Sequence, residues 1–149
     1  MLKINDENSI RLIIKKCFAD EIKAGTKKRE YRAESPFYLN RLYIRSDAPK
    51  DGYDEVMIDR KKRYLKVKDI RFIVFQVGYT KDTFTCECTG FGYIRAGGIN
   101  TLTENDILYP ENQKENPAPL YDLIKDEFTI DEYLDDEWFL VFSLGNIIE

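Results

Sequence analysis

The sequence predicts an α+β fold: one domain, built as a small curved β-barrel of about five or six mostly antiparallel strands with short helices on its flanks. Three observations lead there. At 149 residues the chain has the length of a single domain, enough to bury about two-thirds of its unfolded surface. Its apolar runs are short and rich in β-branched and aromatic residues, as in Ile70–Val77 and Trp138–Leu144. The stretches with helical period between them are brief, as in Lys16–Ala24. The composition, 43% hydrophobic and 34% charged, is globular and argues against disorder or a fibre.

The elements follow in order. Ile10–Lys15 reads as a strand. Lys16–Ala24 reads as a short helix, with Cys17, Phe18 or Ala19, and Ile22 near three-to-four spacing. Gly25 ends that helix, because glycine takes the left-handed conformation without a Cβ clash. Lys27–Arg32 is then extended or loop-like. Ser35-Pro36 starts a second short helix, with Ser as N-cap and Pro at the first position, over Phe37–Leu42. Arg45 to Lys68 is highly charged and shows no clear period. Within it Val56–Ile58 reads as a strand, and Lys61–Arg63 as a solvated turn that could also contact phosphate. Ile70–Val77 carries the clearest β signal. Gly78–Asp82 turns the chain, and Thr83–Gly90 returns with Phe84, Cys86 and Cys88 on one face and Thr85, Glu87 and Thr89 on the other. Gly90–Ile94 continues or bends that strand. Residues 99–137 form an acidic insertion or elaborated connection. It holds a turn at Asn116–Pro119, a short helix over Leu120–Phe128, and an acidic helix or loop over Asp131–Glu137. Trp138–Leu144, nearly continuous in apolar residues, is a buried closing strand.

Composition narrows the chemistry. The chain has no histidine, which removes Ser-His-Asp and Cys-His triads and every His-ligated metal site. Any catalysis falls to Lys, Glu, Asp, Tyr, Thr or Cys. Cys17, Cys86 and Cys88 make an odd set. With no apolar leader in Met1–Glu7, they point to reduced thiols and a cytoplasmic protein. Cys86 and Cys88 share a strand face and read as buried apolar residues rather than metal ligands; no metal or cofactor is expected. No run approaches the ~20 apolar residues of a membrane span. The net charge of −4 hides an asymmetry. Residues 1–98 carry net +7, from 21 basic and 14 acidic residues, and residues 99–149 carry net −11, from 2 and 13. A basic half of this kind suits a polyanion, or it is neutralised by the acidic half within one fold.

The densest cationic run is Gly25-Thr26-Lys27-Lys28-Arg29-Glu30-Tyr31-Arg32. Cationic side chains converging near a helix end, with one carboxylate among them, can bind phosphate or polarise a carbonyl. Taken as an extended run, it places Lys27, Arg29 and Tyr31 on one side and Lys28, Glu30 and Arg32 on the other. Tyr31 and Tyr79 could stack on a base, worth ~1–3 kcal/mol each.

Counted from Lys15, the spacing is Lys-x9-Gly-x-Lys-x2-Glu-x-Arg, with Lys15, Gly25, Lys27, Glu30 and Arg32 at its defining positions. That pattern resembles the signature of the ASCH family of the PUA-like superfamily, and in particular the small ASCH proteins of phages and mobile elements. The similarity extends to Pro36-Phe37, to Phe72–Tyr79 and to Leu144-Gly145-Asn146-Ile147-Ile148. The resemblance implies a PUA-like barrel with the motif at a cleft, binding RNA, a nucleotide or a modified nucleoside. One branch hydrolyses N4-acetylcytidine with a Lys, a Thr and a Glu. Its Lys falls on Lys27, its Thr on the position held here by Glu30, and its Glu on a later strand, where Glu87 is the candidate. Three readings follow. The first is an RNA- or nucleotide-binding domain using Lys15, Gly25, Thr26, Lys27, Glu30, Tyr31, Arg32 and Tyr79. The second is an amidohydrolase with Lys27 and Glu30 or Glu87 catalytic. The third is an interaction protein using its acidic segment.

Overall fold

The computed structural model describes residues 3–33, 40–95, 102–110, 119–127 and 138–148. A strand, β1 (Ser9–Ile14), runs straight into the helix α1 (Lys16–Ala24), and β2 (Arg29–Ala33) follows. Then come β3 (Tyr43–Ser46), β4 (Asp54–Ile58), β5 (Lys61–Val67), β6 (Phe72–Val77) and β7 (Thr83–Arg95). The two-residue β8 (Ile107–Leu108), the short helix α2 (Leu120–Ile124) and the long closing strand β9 (Trp138–Ile148) complete the order.

Six strands form the main sheet, in the order β1-β6-β7-β9-β2 with β8 added on β7. Only β1 and β6 pair in parallel; the other pairs are antiparallel. The sheet curls into a half-barrel, so the α+β small-barrel expectation holds. Side chains alternate between its two faces. The concave face buries Ile10, Leu12, Ile14, Ile73, Phe75, Cys86, Phe91, Leu140 and Phe142, and α1 lays Ala19 and Ile22 against them. The other face carries a second core. There Ile94, Phe139 and Val141 meet Leu102, Ile107, Leu120 and Ile124. The described part of the acidic segment is therefore docked on the barrel by its apolar residues. Gly92 marks the closest approach: a Cβ there would stand 2.9 Å from the Leu108 carbonyl oxygen and 3.0 Å from Leu120 Cδ1.

A second sheet, β3-β5-β4, occupies the stretch whose sequence shows no period. Here one reading changes. Lys61–Arg63 is the start of β5, not a turn. The turn is Asp59-Arg60, with φ of 52° and 66°, between the paired residues Ile58 and Lys61. A two-residue loop with both φ positive matches the twist of its strands, and it is ordinarily announced by Asn-Gly or Asp-Gly. Asp59 fits the first position, but Arg60 stands where glycine is usual. No residue of the hairpin is fully buried, and Met57 is 64% exposed, so no inside-outside alternation was written into it. The α2 helix is shorter than the expected Leu120–Phe128. It ends at Ile124, and Lys125 to Glu127 close it as a turn. Asp126 and Glu127 at a helix C-terminus oppose its dipole, which favours the early stop. The expected cap Ser35-Pro36 and most of the following helix lie outside the described residues, where Asn40 and Arg41 are helical. Asn116, Pro117, Phe128 and the Asp131–Glu137 stretch also lie outside them. Among the described residues no helix is long and apolar enough to cross a membrane.

Candidate functional site

The site grows from the end of α1. Gly25 adopts φ of 80°, and its N–H reaches the Ile22 carbonyl at 3.1 Å. The N–H groups of Thr26 and Lys27 both reach the Glu21 carbonyl, at 3.0 and 3.2 Å. The helix terminus is thus satisfied by a glycine-dependent reversal. The chain is then seated on β9 when the Leu144 N–H donates to the Lys28 carbonyl at 2.8 Å, one residue before β2 begins.

From Arg29 onward the residues of β2 divide between the two faces. Glu30 stands opposite Phe142 and Arg32 opposite Leu140, so both point to the concave face. Tyr31 stands opposite Val141 and points to the other core. Glu30 is 7% exposed. Its Oε1 accepts from Arg32 Nε at 3.2 Å, and Lys27 Nζ lies 3.7 Å from its Oε2. That second oxygen is fully buried and accepts no hydrogen bond among the described residues. The Lys27 ammonium also sits over the Phe18 ring, 5.4 Å from its centroid.

Arg32 has a further task. Its Nη2 donates to the Ile13 carbonyl at 2.8 Å, joining β2 to β1 across the two ends of the sheet. Arg41 donates to the Arg11 carbonyl at 2.6 Å, and Lys68 to the Ser9 carbonyl at 3.2 Å. Alternate carbonyls along β1 therefore each meet a cation, which satisfies an edge that could otherwise pair with another strand. Burial lowers the Lys68 ammonium from its ordinary value, with Arg41 adding to the effect and Asp6 opposing it.

On the opposite face of β2, Arg29 makes a forked pair with Glu127, at 2.6 Å from Nε and 2.9 Å from Nη2. The Tyr31 hydroxyl donates to the same carboxylate. Burial alone would raise the Glu127 carboxyl. The hydrogen bonds from Arg29 and Tyr31 and the charges of Arg29 and Lys27 overcome it and hold the group below its ordinary value. The bond to Glu127 raises Arg29 in turn. Around this pair lies a concavity of about 300 Å³, lined by Glu21, Thr26, Lys27, Lys28, Arg29, Tyr31 and Glu127. That volume is at the small end of ligand pockets.

The structure therefore gathers Lys27, Glu30 and Arg32 in one contact group, and Thr26, Lys27 and Tyr31 in one concavity. Lys27 belongs to both, since it precedes the strand and is not bound to strand alternation. This corrects the expected division that set Lys27 with Arg29 and Tyr31, apart from Glu30. Lys15 is the exposed N-cap of α1, two residues beyond the carbonyl that Arg32 holds. Tyr79 is 94% exposed in the β6–β7 turn. Glu87 stands opposite Phe72, on the face away from Cys86 and the concave core, so the sheet separates it from Glu30. Among the described residues no group of three or more Cys, Asp or Glu is placed to hold a metal. Glu127 was missed by sequence reasoning: it lies 98 residues from Arg29 with no spacing to signal it. The opposed charges of the two halves were the one available hint.

No protein-family model matches the chain. Neither a curated protein nor a solved structure is similar to it beyond chance.

Proposed function

We propose that the chain binds a small nucleotide-like ligand, a nucleoside or mononucleotide, at the concavity that Lys27 shares with the Glu30–Arg32 contact group. The observation that carries this reading is the buried Glu30 Oε2, which accepts no hydrogen bond among the described residues and lies beside a cation. Leaving a buried acceptor unmade costs about 1–3 kcal/mol, and more when it is charged. With the Lys27 side chain drawn aside, a ligand N–H would reach that oxygen and recover the cost, and carboxylates accept from the exocyclic amine of a base. The Lys27, Lys28 and Arg29 side chains supply the positive field for a phosphate. The Lys15–Arg32 spacing that resembles the ASCH signature supports the same ligand class. The acidic segment reaches the concavity through Glu127, and its charge disfavours long polyanions there. This favours a small ligand over an extended RNA. Titrating nucleosides, nucleoside monophosphates and a short single-stranded RNA at two salt concentrations tests the reading. Saturable binding of a small member is expected; an absence of binding across the panel, even in low salt, would sink it.

A second reading, an amidohydrolase acting on a nucleoside such as N4-acetylcytidine, draws on the Lys27–Glu30 contact. An ammonium beside a buried carboxylate is a proton-transfer couple. Glu87 takes no part in that couple. Release of acetate from N4-acetylcytidine, lost in Lys27→Ala, would favour it, and no turnover would retire it.

A further inference from the structure

Glu127 is held as a free anion would be. Its carboxylate takes the fork of Arg29, a hydroxyl hydrogen bond from Tyr31, and the field of Lys27. A guanidinium fork suits the paired oxygens of a carboxylate and of a phosphate equally. The two partners are not equally anchored. Arg29 and Tyr31 sit on β2, which is paired along its whole length with β9. Glu127 sits in a turn after a five-residue helix, and its side chain is more exposed than that of Arg29. The donors are therefore the fixed half of the contact and the carboxylate the movable half. Nor does the pair fill the space around it, because the same residues line the concavity that extends to Thr26 and Lys28.

We propose that Arg29, Tyr31 and Lys27 form an oxyanion subsite for a phosphate or carboxylate, and that Glu127 is a tethered competitor occupying it in the free protein. The proposal rests on reading this cleft as a ligand site, and it adds what the ligand must carry. A ligand bearing an oxyanion displaces the Glu127 side chain and takes over its hydrogen bonds. A ligand without one leaves Glu127 in place and uses only Lys27 and Glu30. A tethered group competes at a high effective concentration, so the apparent affinity for an anion falls by the fraction of subsites that Glu127 leaves open.

The test uses the full chain with Glu127→Ala and Glu127→Gln. Inorganic phosphate and acetate are the probes, followed by the NMR signals of the Arg29 side-chain N–H and the Tyr31 backbone. Both variants are expected to bind one of the probes about ten-fold tighter than the parent chain, within the usual range of coupling between groups. Adding Arg29→Ala to Glu127→Ala is expected to abolish that gain. The two probes distinguish a phosphate subsite from a carboxylate one. Having two variants guards against one that fails to fold. Equal affinity in parent and variants, or no binding of either probe in any chain, would overturn the proposal. Nucleoside binding measured in the same parent sample decides the broader reading separately, because a neutral nucleoside does not need the subsite.

Discussion

Replacing Arg32 with Met removes a side chain that serves both the candidate site and the link between the two ends of the sheet. In the native chain the side chains of Arg32 and Glu30 are only 15% and 10% exposed. Met keeps much of the aliphatic volume and removes the charge. The substitution strips Glu30 Oε1 of its Arg32 donor, leaving a carboxylate whose other oxygen accepts no hydrogen bond among the described residues. Breaking a buried ion pair from one side costs about 3–5 kcal/mol. The Ile13 carbonyl also loses a donor at 2.8 Å, a deficit of about 1–3 kcal/mol if it stays dry. The two losses share one side chain and do not simply add, so the expected destabilisation is about 3–5 kcal/mol. At this chain length that lowers Tm by roughly 6–20 °C. Urea and thermal unfolding measure it. Adding Glu30→Gln should restore part of the loss, because a neutral amide is cheaper to bury than a carboxylate held by Lys27 alone at 3.7 Å. A loss below about 1 kcal/mol, the range of exposed pairs, would refute the burial argument. So would a double variant no more stable than Arg32→Met.

Three further outcomes follow from other parts of the fold. Burial pushes Cys86 up to about 11 and Cys88 up to about 12, while Cys17 is exposed; near pH 8, iodoacetamide should modify Cys17 alone in the folded chain and all three in urea, as read by mass spectrometry. The Glu127 carboxyl is lowered in the folded state, so its contribution to stability is present above about pH 4.3, its unfolded value, and is lost as pH falls through the lower folded value. Glu127→Gln should flatten that acid limb in urea titrations from about pH 6 to 3, and identical limbs would contradict it. Gly92→Ala should cost about 1–3 kcal/mol by overpacking against Leu108 and Leu120, and it should expose amides of α2 to hydrogen exchange.

How much of this could be read beforehand depended on where burial imposes a pattern. β6, the return of β7 and the closing β9 were legible because one or both of their faces are buried, which writes alternation or continuous apolarity into them. Gly25 was legible because a left-handed helix stop has few alternatives. The β4–β5 hairpin was not, since neither face is buried and Asp59-Arg60 adopts a turn that other sequences mark with glycine. In the site, the Lys27–Glu30–Arg32 group could be anticipated as a charged run. Its division was misread because alternation begins only at Arg29, and Lys27 is aimed by the preceding turn. The partnership with Glu127 depends on how the acidic segment docks through Leu120 and Ile124, which is a tertiary matter with no local trace.

The small nucleotide-like ligand proposed above would sit at the concavity beside Lys27, with Glu30 in contact with that lysine. The most direct measurement is an amide NMR titration of the full chain with nucleosides and their 5′-monophosphates, repeated on Glu30→Gln. That substitution keeps the side chain's shape and puts an amide in place of the buried carboxylate. Saturable shifts clustered on residues 25–32, lost in Glu30→Gln while its spectrum stays folded, are the predicted result. No saturable shift with any member, or binding left unchanged by Glu30→Gln, would contradict it.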